Sequence, residues 1–302
     1  MKSLVTGAYG FVGRYLCKHL KSFGDSVVGT HIEPQAPFAE IEGRQLDITQ
    51  YNQCIKVLEE VKPDVIYHLA GLAFAPDAEE NFEKALKINV LGTHNVVRAA
   101  HILGLKCRFL FISSSEVYGK ILPEDLPISE KTPVRPFNNY SLSKLMAEEV
   151  VRRYERLGNI SAVIVRPFNH IGPGQSPQFV VSSFAEQIAK ITEPGTAVKV
   201  GNLDAKRDFS DVRDIVRAYR MAAHKGEGIY NLGSGKSVSI NEILDTLIKI
   251  SEKKITIETD PLRMRASEVP DLFCDYSKAE KEFGWKPEVS LEESLEGVYK
   301  SF

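Results

Sequence analysis

The chain has 302 residues, of which 43% are hydrophobic and 26% are charged, and such values are typical of a fully folded globular protein with one large domain and a smaller lobe. The formal net charge of -2 excludes a general attraction to nucleic acid, and the sequence has no run of about 18 apolar residues that would span a membrane. We therefore expect no nucleic-acid partner and no membrane partner.

The amino terminus and the cysteines indicate a reducing compartment. The chain enters an apolar strand at once, without the pattern of a signal peptide, so we expect a cytoplasmic protein. The cysteines are far apart and the histidines lack the i, i+4 pairing of a zinc helix. We expect no metal and reduced, buried thiols at Cys17, Cys54, Cys107 and Cys274.

The first half of the chain alternates short β-branched runs with longer segments of helical period. Strands are predicted over residues 3–6, 26–30, 44–48, 65–69, 108–113 and 162–166. Helices are predicted over residues 11–23, 51–61, 79–103 and 141–157, and glycines stand where three of them end. The alternation predicts an α/β fold, a Rossmann doubly wound parallel sheet over residues 1–168. Residues 169–302 are expected to form mainly a substrate-binding lobe, with few strands and with some elements returning to the sheet.

A glycine-rich turn follows the first predicted strand and precedes the first helix. Backbone N–H groups at such a helix start bind a pyrophosphate. The spacing G-x-x-G-x-x-G differs from the commoner G-x-G-x-x-G, but the position favours dinucleotide binding over a structural turn. The predicted cofactor-binding residues of this turn are Gly7, Tyr9, Gly10, Phe11, Val12 and Gly13.

The residues after the second strand bear on the choice of cofactor. An acidic residue there receives the ribose hydroxyls of NAD, whereas a basic residue suits the extra phosphate of NADP. His31 stands where the carboxylate is expected, and Glu33 follows two places later. NADP(H) is therefore slightly favoured and NAD(H) stays possible; an exposed loop histidine without a role is the alternative reading of His31.

Tyr140 and Lys144 are one helical turn apart and project from one face of a predicted helix. A nearby ammonium lowers the pKa of a tyrosine, so the phenol can exchange a proton with a carbonyl or carbinol oxygen during hydride transfer. An ordinary surface pair is the alternative, but the glycine-rich turn and the serine-rich strand end upstream favour catalysis.

The fifth predicted strand ends in Ser113-Ser114-Ser115-Glu116. Hydroxyl groups at the carboxyl edge of a parallel sheet lie where ligands of open α/β folds bind, so one of them can hold the reacting oxygen. A capping or turn cluster is the alternative reading. Glu116 is a candidate acid/base or acceptor for a substrate hydroxyl, or else an exposed turn residue.

Several motifs together resemble the extended short-chain dehydrogenase/reductase superfamily, which contains nucleotide-sugar epimerases, dehydratases and reductases. They are the glycine turn, Leu46-Asp47-Ile48, His68-Leu69-Ala70-Gly71, Asn89-Val90-Leu91-Gly92-Thr93, Tyr140-Ser141-Leu142-Ser143-Lys144 and Arg166-Pro167-Phe168-Asn169. The resemblance implies that Asp47 and Ile48 contact adenine and that Leu69, Ala70 and Gly71 border the cofactor diphosphate and ribose. It implies that Ser114 completes a Ser-Tyr-Lys triad and that the protein is a homodimer, paired through the helices over residues 79–103 and 141–157. Further cofactor-binding residues in this reading are Asn89, Ser113, Pro167 and Phe168.

The second half resembles the GDP-mannose 4,6-dehydratase group, and most of all its short relatives, the GDP-4-keto-6-deoxy-D-mannose reductases that make GDP-D-rhamnose. The segments that carry this resemblance are 168–175, 200–209 and 265–270. The implied substrate is a GDP-sugar, whose arginine contacts would grip the diphosphate oxygens, although each residue could instead belong to a structural ion pair. The implied substrate-binding residues, beyond Ser114 and Glu116, are Ser115, Asn169, Phe179, Val180, Asn202, Arg207, Arg265 and Glu268.

Two departures separate the chain from the dehydratases that it resembles. Those enzymes usually have Thr at the position of Ser114 and an arginine pair at Gly174-Gln175, and they are longer. The differences favour a reductase, whereas Glu116 matches the dehydratases. A 4,6-dehydratase or 4-epimerase with a tightly bound cofactor therefore stays open, as does, in another class, a non-catalytic dinucleotide-sensing module; the latter has no need for a proton-transfer triad.

Overall fold

The computed structural model describes residues 1–33, 41–264 and 269–302. Its strands, in chain order, are β1 Lys2–Thr6, β2 Ser26–His31, β3 Glu42–Gln45, β4 Val65–His68, β5 Cys107–Ile112, β6 Ile160–Pro167, β7 Asn169–Ile171, β8 Ala197–Val200, β9 Lys206–Asp211, β10 Gly228–Leu232, β11 Ser237–Ser239 and β12 Thr256–Thr259. Seven of them form a parallel sheet in the order β10-β6-β5-β4-β1-β2-β3. The predicted Rossmann-type sheet is confirmed, with β10 as a strand that the sequence reading did not predict.

Helices cover both faces of this sheet, because alternate residues of each strand point to opposite sides. The helices, in chain order, are α1 Phe11–Ser22, α2 Tyr51–Val61, α3 Ala75–Glu80, α4 Phe82–Ala85, α5 Thr93–Ile102, α6 Asn139–Arg156, α7 Val180–Lys190, α8 Val212–Lys225, α9 Ile240–Ser251, α10 Ser277–Phe283 and α11 Leu291–Tyr299. On one face α1 and α8 bury Leu16 and Ile215 against Val5. On the other face α2, α5 and α6 bury side chains against Leu4 and Ile66.

The helix predicted over residues 79–103 is not continuous. The segment consists of α3, α4, a π-helix at Leu86–Gly92, and α5. The first break lies at Asn81, whose side chain accepts a hydrogen bond from the Lys84 backbone N–H at 2.9 Å, because a free N–H at a new helix start needs such a partner. By contrast, α6 begins close to its predicted start, since Asn138 and Ser141 form a capping box there.

The strand predicted over residues 44–48 is shifted. β3 begins and ends earlier, at Glu42–Gln45, and Leu46 and Ile48 turn into the core beside α2. Their side chains are buried, so an apolar pattern that indicated a strand belongs in part to the loop after it. The glycines predicted to end helices, Gly24, Gly104 and Gly158, all have positive φ.

The second half of the chain contains more strands than the few that we expected. β7, β9 and β11 form one small sheet, β8 and β12 form another, and α7, α9 and α11 pack together beside them around a third core. Between β9 and β11 the chain passes through α8 and through β10 at the edge of the main sheet, and α10 packs against both of them. Across the described parts of the chain, every helix is too short or too polar to cross a lipid bilayer.

Candidate active site

A cavity of about 1060 Å³ opens along the carboxyl edge of the main sheet, where ligands of open α/β folds bind. The cavity brings together the ends of β1, β2, β4, β5 and β6. The predicted residues that line it are Gly7, Tyr9, Gly10, Phe11, Val12, Gly13, His31, Asp47, Ile48, Leu69, Ala70, Gly71, Ser113, Ser114, Ser115, Glu116, Tyr140, Lys144, Pro167, Phe168, Asn169, Phe179 and Val180.

The glycine turn at one end of the cavity is tightly folded. Gly7 has a φ of +70°, and a Cβ there would lie 2.9 Å from the Ala70 backbone nitrogen. A Cβ on Gly13 would lie 2.2 Å from the Gly7 carbonyl oxygen. The turn therefore requires glycine at both positions and exposes the N-terminus of α1 to the cavity, an arrangement that fits a dinucleotide pyrophosphate.

His31 stands at the end of β2 beside this turn. It is buried, so the reading as an exposed loop histidine is wrong. Its ring lies edge-on to Tyr9 with centroids 5.5 Å apart, and its Nδ1 lies 2.7 Å from the Glu33 carbonyl oxygen. Because a carbonyl oxygen only accepts, Nδ1 carries the proton in this bond. His31 occupies the position at which NAD enzymes have a carboxylate for the ribose hydroxyls, and Glu33 lines the cavity nearby.

Asp47 lies at the neighbouring wall, after β3. Its Oδ1 accepts hydrogen bonds from the backbone N–H and the hydroxyl of Thr49, at 2.9 and 2.8 Å. This local turn leaves Ile48 packed against Gly92 of the π-helix. The two residues therefore add one polar and one apolar side chain to the cavity wall.

The Ser-Tyr-Lys set assembles where β5 ends and α6 begins. Tyr140 is 8% exposed, and the Ser114 side chain faces its phenol closely enough to lower its pKa. Lys144 donates a hydrogen bond to the Ile112 carbonyl oxygen at 2.9 Å, and its Nζ lies 6.0 Å from the centre of the Tyr140 ring. Ser114 also accepts a hydrogen bond from the Glu116 N–H at 3.2 Å, so it is both a capping residue and a member of the set.

The pKa of Tyr140 is raised in this structure, whereas the Tyr-Lys spacing predicted that it would be lowered. Burial raises the pKa of the phenol well above its ordinary value, and the charge of Glu116 raises it further. Burial also lowers the pKa of Lys144 to about 8, while Glu148 opposes this effect. The reason is geometric: the ammonium points to the end of β5, and the phenol lies in an apolar wall with Ala78 and Ala85. Tyr140 is therefore protonated over the whole physiological range.

Glu116 is held inside the site and is not an exposed turn residue. The Asn138 side-chain amide donates to its Oε2 at 2.9 Å. Burial raises the pKa of Glu116, and both this hydrogen bond and the charge of Arg207 oppose the rise. The carboxyl group is thus placed to exchange a proton with a bound molecule.

Ser113 lines the cavity and also forms a hydrogen bond in the protein interior. Its hydroxyl donates a short hydrogen bond to Glu148 Oε1, and Arg166 holds the same carboxylate with two bonds, at 2.9 and 2.6 Å. Glu148 and Arg166 are 0% and 3% exposed. Glu148 lies one turn below Lys144 on α6, so the ammonium is anchored above a neutralised, fully buried ion pair.

Some predicted site residues lie outside the cavity wall. Asn89 is buried behind it and bonds to Leu72 and Ser143. The Asn202 side chain caps its own turn by accepting from Asp204 N–H at 2.9 Å, because asparagine readily bonds to nearby backbone. Arg207 donates to the Lys206 carbonyl at 2.7 Å and interacts with the charge of Glu116. Arg265 and Glu268 lie outside the described residues.

The sequence reading missed several lining residues. Leu72, Phe74 and Pro76 follow β4 directly, and the same rule of strand ends that found the serines would have found them. Lys84 and Lys87 reach the cavity from the broken helix, which no periodic pattern indicates. Phe74 and Phe179 make an edge-to-face contact across the cavity wall, with ring centroids 5.6 Å apart, between the segment after β4 and the start of α7. Among the described residues, no group of three His, Cys, Asp or Glu side chains is placed to share a metal ion.

Residues 4–298 match the family model of GDP-mannose 4,6 dehydratase. The GDP-6-deoxy-D-mannose reductase of Pseudomonas aeruginosa is 35% identical over 97% of this chain and 94% of that protein. The GDP-6-deoxy-D-talose 4-dehydrogenase of Aggregatibacter actinomycetemcomitans is 32% identical over 100% of this chain and 98% of that protein.

Solved structures show the same architecture. The structure of RMD from Pseudomonas aeruginosa complexed with NADPH has a TM-score of 0.88 and 32% identity, covering 100% of this chain and 98% of that one. A UDP-glucose 4-epimerase from Thermotoga maritima with UDP-glucose has a TM-score of 0.91 and 25% identity, with coverage of 100% and 98%. The extended superfamily that the motifs resemble is thereby confirmed.

Proposed function

Because the chain belongs to the GDP-mannose 4,6-dehydratase family, we propose that it is a nicotinamide-dependent reductase of the C4 keto group of a 4-keto-6-deoxy sugar carried on GDP. Two relatives are named a GDP-6-deoxy-D-mannose reductase and a GDP-6-deoxy-D-talose 4-dehydrogenase. Both names describe oxidation or reduction of a 6-deoxy sugar on GDP. The product that we expect is GDP-6-deoxy-D-mannose, which is GDP-D-rhamnose.

The residues of the glycine turn fit a nicotinamide cofactor, and NADP(H) is the form that we propose. Gly7 and Gly13 make room for a pyrophosphate at the N-terminus of α1, while His31 stands where an NAD enzyme has a carboxylate. A related structure contains NADPH, and others contain NAD. When bound, such a cofactor supplies the hydride for the reduction.

Three side chains, Ser114, Tyr140 and Lys144, would act on the keto group and on the cofactor. Ser114 orients the keto oxygen through its hydroxyl. Tyr140 donates its phenolic proton to the oxygen as negative charge develops there. Lys144, anchored on the Ile112 carbonyl, presents an ammonium to the ribose next to the nicotinamide and favours the tyrosinate that proton donation leaves behind.

The observation that carries the reductase assignment is the match over nearly the whole chain to two proteins named as oxidoreductases of a 6-deoxy sugar on GDP. The site supports it, because Ser114 and Tyr140 face each other at the cavity wall, where a keto oxygen would need hydroxyl donors.

The test is net consumption of reduced cofactor. Purified protein given NADPH and a GDP-4-keto-6-deoxy sugar should oxidise about one NADPH for each 4-hydroxy product, followed at the nicotinamide absorbance band and by mass spectrometry. Tyr140→Phe should lower turnover by about 10² to 10⁴-fold with cofactor binding near normal. Tyr67→Phe is the matched control, since Tyr67 is buried away from the cavity and its hydroxyl has no hydrogen-bond partner among the described residues. Full activity in Tyr140→Phe would contradict the assignment.

The second candidate function is 4,6-dehydration, or epimerisation at C4, with hydride returned in every cycle. Glu116 is the observation that favours it, because a buried carboxyl with a raised pKa, held by Asn138, can act as acid or base at a neighbouring carbon. Release of a 4-keto product from a GDP-hexose, without net change in the cofactor, would support this function. A non-catalytic dinucleotide sensor is disfavoured by the assembled Ser-Tyr-Lys set.

We also propose that the protein is a homodimer in the cytoplasm. Leu142 and Met146 lie one turn apart on α6 and are exposed, and Leu91 and Ile102, about three turns apart, are exposed beside α5. An exposed apolar face of this kind is typical of an interface. Light scattering should give twice the mass of the chain, and Met146→Glu should give the monomer mass; a monomeric parent would refute the dimer. The free cysteines support a reducing compartment.

A further inference from the structure

His68 belongs to the motif beside the cofactor loop but does not line the cavity. It is 1% exposed at the end of β4, and its ring lies near Phe109 and Phe111, with centroids 5.6 and 6.1 Å apart. Both ring nitrogens have partners: Nδ1 lies 2.8 Å from Thr6 Oγ1 and Nε2 lies 3.0 Å from Thr93 Oγ1. This buried imidazole therefore connects Thr6, at the end of β1, with Thr93, at the start of α5.

The Asn89 carbonyl oxygen, at one end of this chain of hydrogen bonds, fixes which atom donates in each of them. The Thr93 hydroxyl lies 2.6 Å from the Asn89 carbonyl oxygen, which can only accept, so the hydroxyl proton points there. The Thr93 oxygen must then accept from His68, and Nε2 of the ring carries a proton. Burial, and secondarily the charge of Lys144, lowers the pKa of His68 to about 3. The ring is therefore neutral, and Nδ1 has no proton.

The other half of the chain of bonds is fixed in the same way. Bare Nδ1 accepts from the Thr6 hydroxyl, and the Thr6 oxygen is left to accept from the Ala70 backbone N–H at 3.1 Å. Ala70 lies in the loop that borders the cavity, and Thr6 directly precedes Gly7 of the glycine turn. One end of the network therefore binds the backbone of the loop that lines the cavity.

The other end reaches the catalytic helix. Asn89 accepts from the Leu72 N–H at 2.7 Å and donates to Ser143 Oγ at 2.9 Å. The Ser143 hydroxyl donates in turn to the Tyr140 carbonyl oxygen at 2.7 Å. A continuous set of buried hydrogen bonds thus runs from the end of β1 to the first turn of α6.

We propose that His68, as the neutral Nε2–H tautomer, is a positioning residue that holds the cofactor loop over residues 69–71 in register with the first turn of α6. The inference rests on the proposed function for the identity of the bound groups. A hydroxyl on either side of the ring is interchangeable in shape with a methyl group, so its role can be tested without changing the packing.

The first test is the tautomer itself. Nitrogen-15 NMR of the protein labelled at histidine should show one buried ring with a protonated Nε2 and a bare Nδ1, with no titration between pH 5 and pH 9. Its assignment to His68 comes from loss of that signal in His68→Gln. A protonated Nδ1, or a titration in this range, would overturn the proposal. This measurement needs no substrate, so it stands even if the proposed reaction is wrong.

The second test compares substitutions of Thr6 and Thr93, which lie on either side of His68, for their effects on NADPH binding and on kcat. We expect Thr6→Val to weaken NADPH binding on the order of tenfold, the scale of one lost hydrogen bond, with kcat changed less. Thr93→Val should lower kcat on a similar scale and change NADPH binding less. Thr6→Ser and Thr93→Ser restore the hydroxyl and should recover both values. Equal effects of valine and serine, or a loss of thermal stability without any change in kcat or binding of the folded protein, would overturn the positioning role. A parent protein that binds NADPH but reduces no sugar would overturn the proposed function alone.

Discussion

Replacing Lys144 by methionine should make the protein more stable while it destroys activity. Lys144 is 7% exposed, and its pKa falls from 10.5 to about 8 in the folded protein. At about 1.4 kcal/mol for each unit of pKa, burying the charge costs roughly 3 kcal/mol. Methionine keeps the apolar stem but loses the bond to the Ile112 carbonyl, worth about 1 kcal/mol. We therefore expect the free energy of unfolding at pH 7 to rise by about 2 kcal/mol.

The expected gain in the free energy of unfolding of Lys144→Met depends on pH, and this dependence tests its cause. Below pH 8 lysine is charged in both the folded and the unfolded chain, so the folded protein bears the full cost. As the pH rises from 8 toward 10.5 the folded protein loses its proton first, and the cost disappears. Urea unfolding of the two proteins at pH 7 and at pH 10, without added cofactor, measures the difference. Lys18→Met is the control, since Lys18 is exposed on α1 and should change stability by at most about 0.5 kcal/mol.

A Lys144→Met protein that is no more stable than its parent at pH 7 would refute this reasoning. So would a gain that is equally large at pH 10. Turnover in the same variant should fall by about 10² or more, because the ammonium assists the proton transfer. Lys144 would then be a residue that lowers the stability of the folded protein but is needed for its activity.

Three further predictions concern the same region. Reductase kcat/KM should fall as the pH rises through about 8, where Lys144 loses its proton; a rate that rises there would contradict the role of the ammonium. Gly13→Ala should weaken NADPH binding by about tenfold or more, measured by fluorescence titration, because its Cβ would lie 2.2 Å from the Gly7 carbonyl oxygen; unchanged affinity would show that the turn does not hold the cofactor. Arg166→Met should lower the free energy of unfolding by about 3 to 5 kcal/mol, since it removes the guanidinium that pairs with the buried Glu148 carboxylate and leaves it the Ser113 hydroxyl as a hydrogen-bond donor. Adding Glu148→Leu should recover much of the loss. Urea denaturation measures both variants, and a double variant no more stable than the single one would be evidence against this account.

The main sheet and much of the cavity wall could be predicted from the sequence because both follow from one rule. Carboxyl ends of parallel strands meet at one edge, so Gly7, His31, Leu69 and Ser114, each at the end of its own strand, had to lie together. The cavity does bring them together. The assignments of these residues to cofactor or substrate stay predictions.

Other parts depended on contacts that periodicity does not contain. The break at Asn81 depends on a side chain that caps a new helix, and apolar spacing over residues 79–103 gives no sign of it. β7 and β11 are only three residues long and contain polar side chains, so their sequence does not differ from that of a loop. They are strands because β9 lies between them.

The electrostatics of Tyr140 could not be deduced from spacing. The separation of Tyr140 and Lys144 indicated a shared helix face, which is observed, but the ammonium is directed to the Ile112 carbonyl. The depth of burial of the phenol then decides its pKa. Burial is a property of the tertiary fold, so the pair motif alone predicted the wrong sign.

The position of β10 in the main sheet limits which chimeras of this protein and its relatives can fold. The chain leaves the sheet after β6, forms β7, β8 and β9, returns to pair β10 with β6, and then completes the small sheets with β11 and β12. A break at residue 168 would leave the last strand of the amino-terminal part with an open edge, which invites pairing with other chains. Grafting a foreign carboxyl-terminal half onto this sheet therefore requires that the β10 and α8 of the graft match the recipient β6 and sheet face.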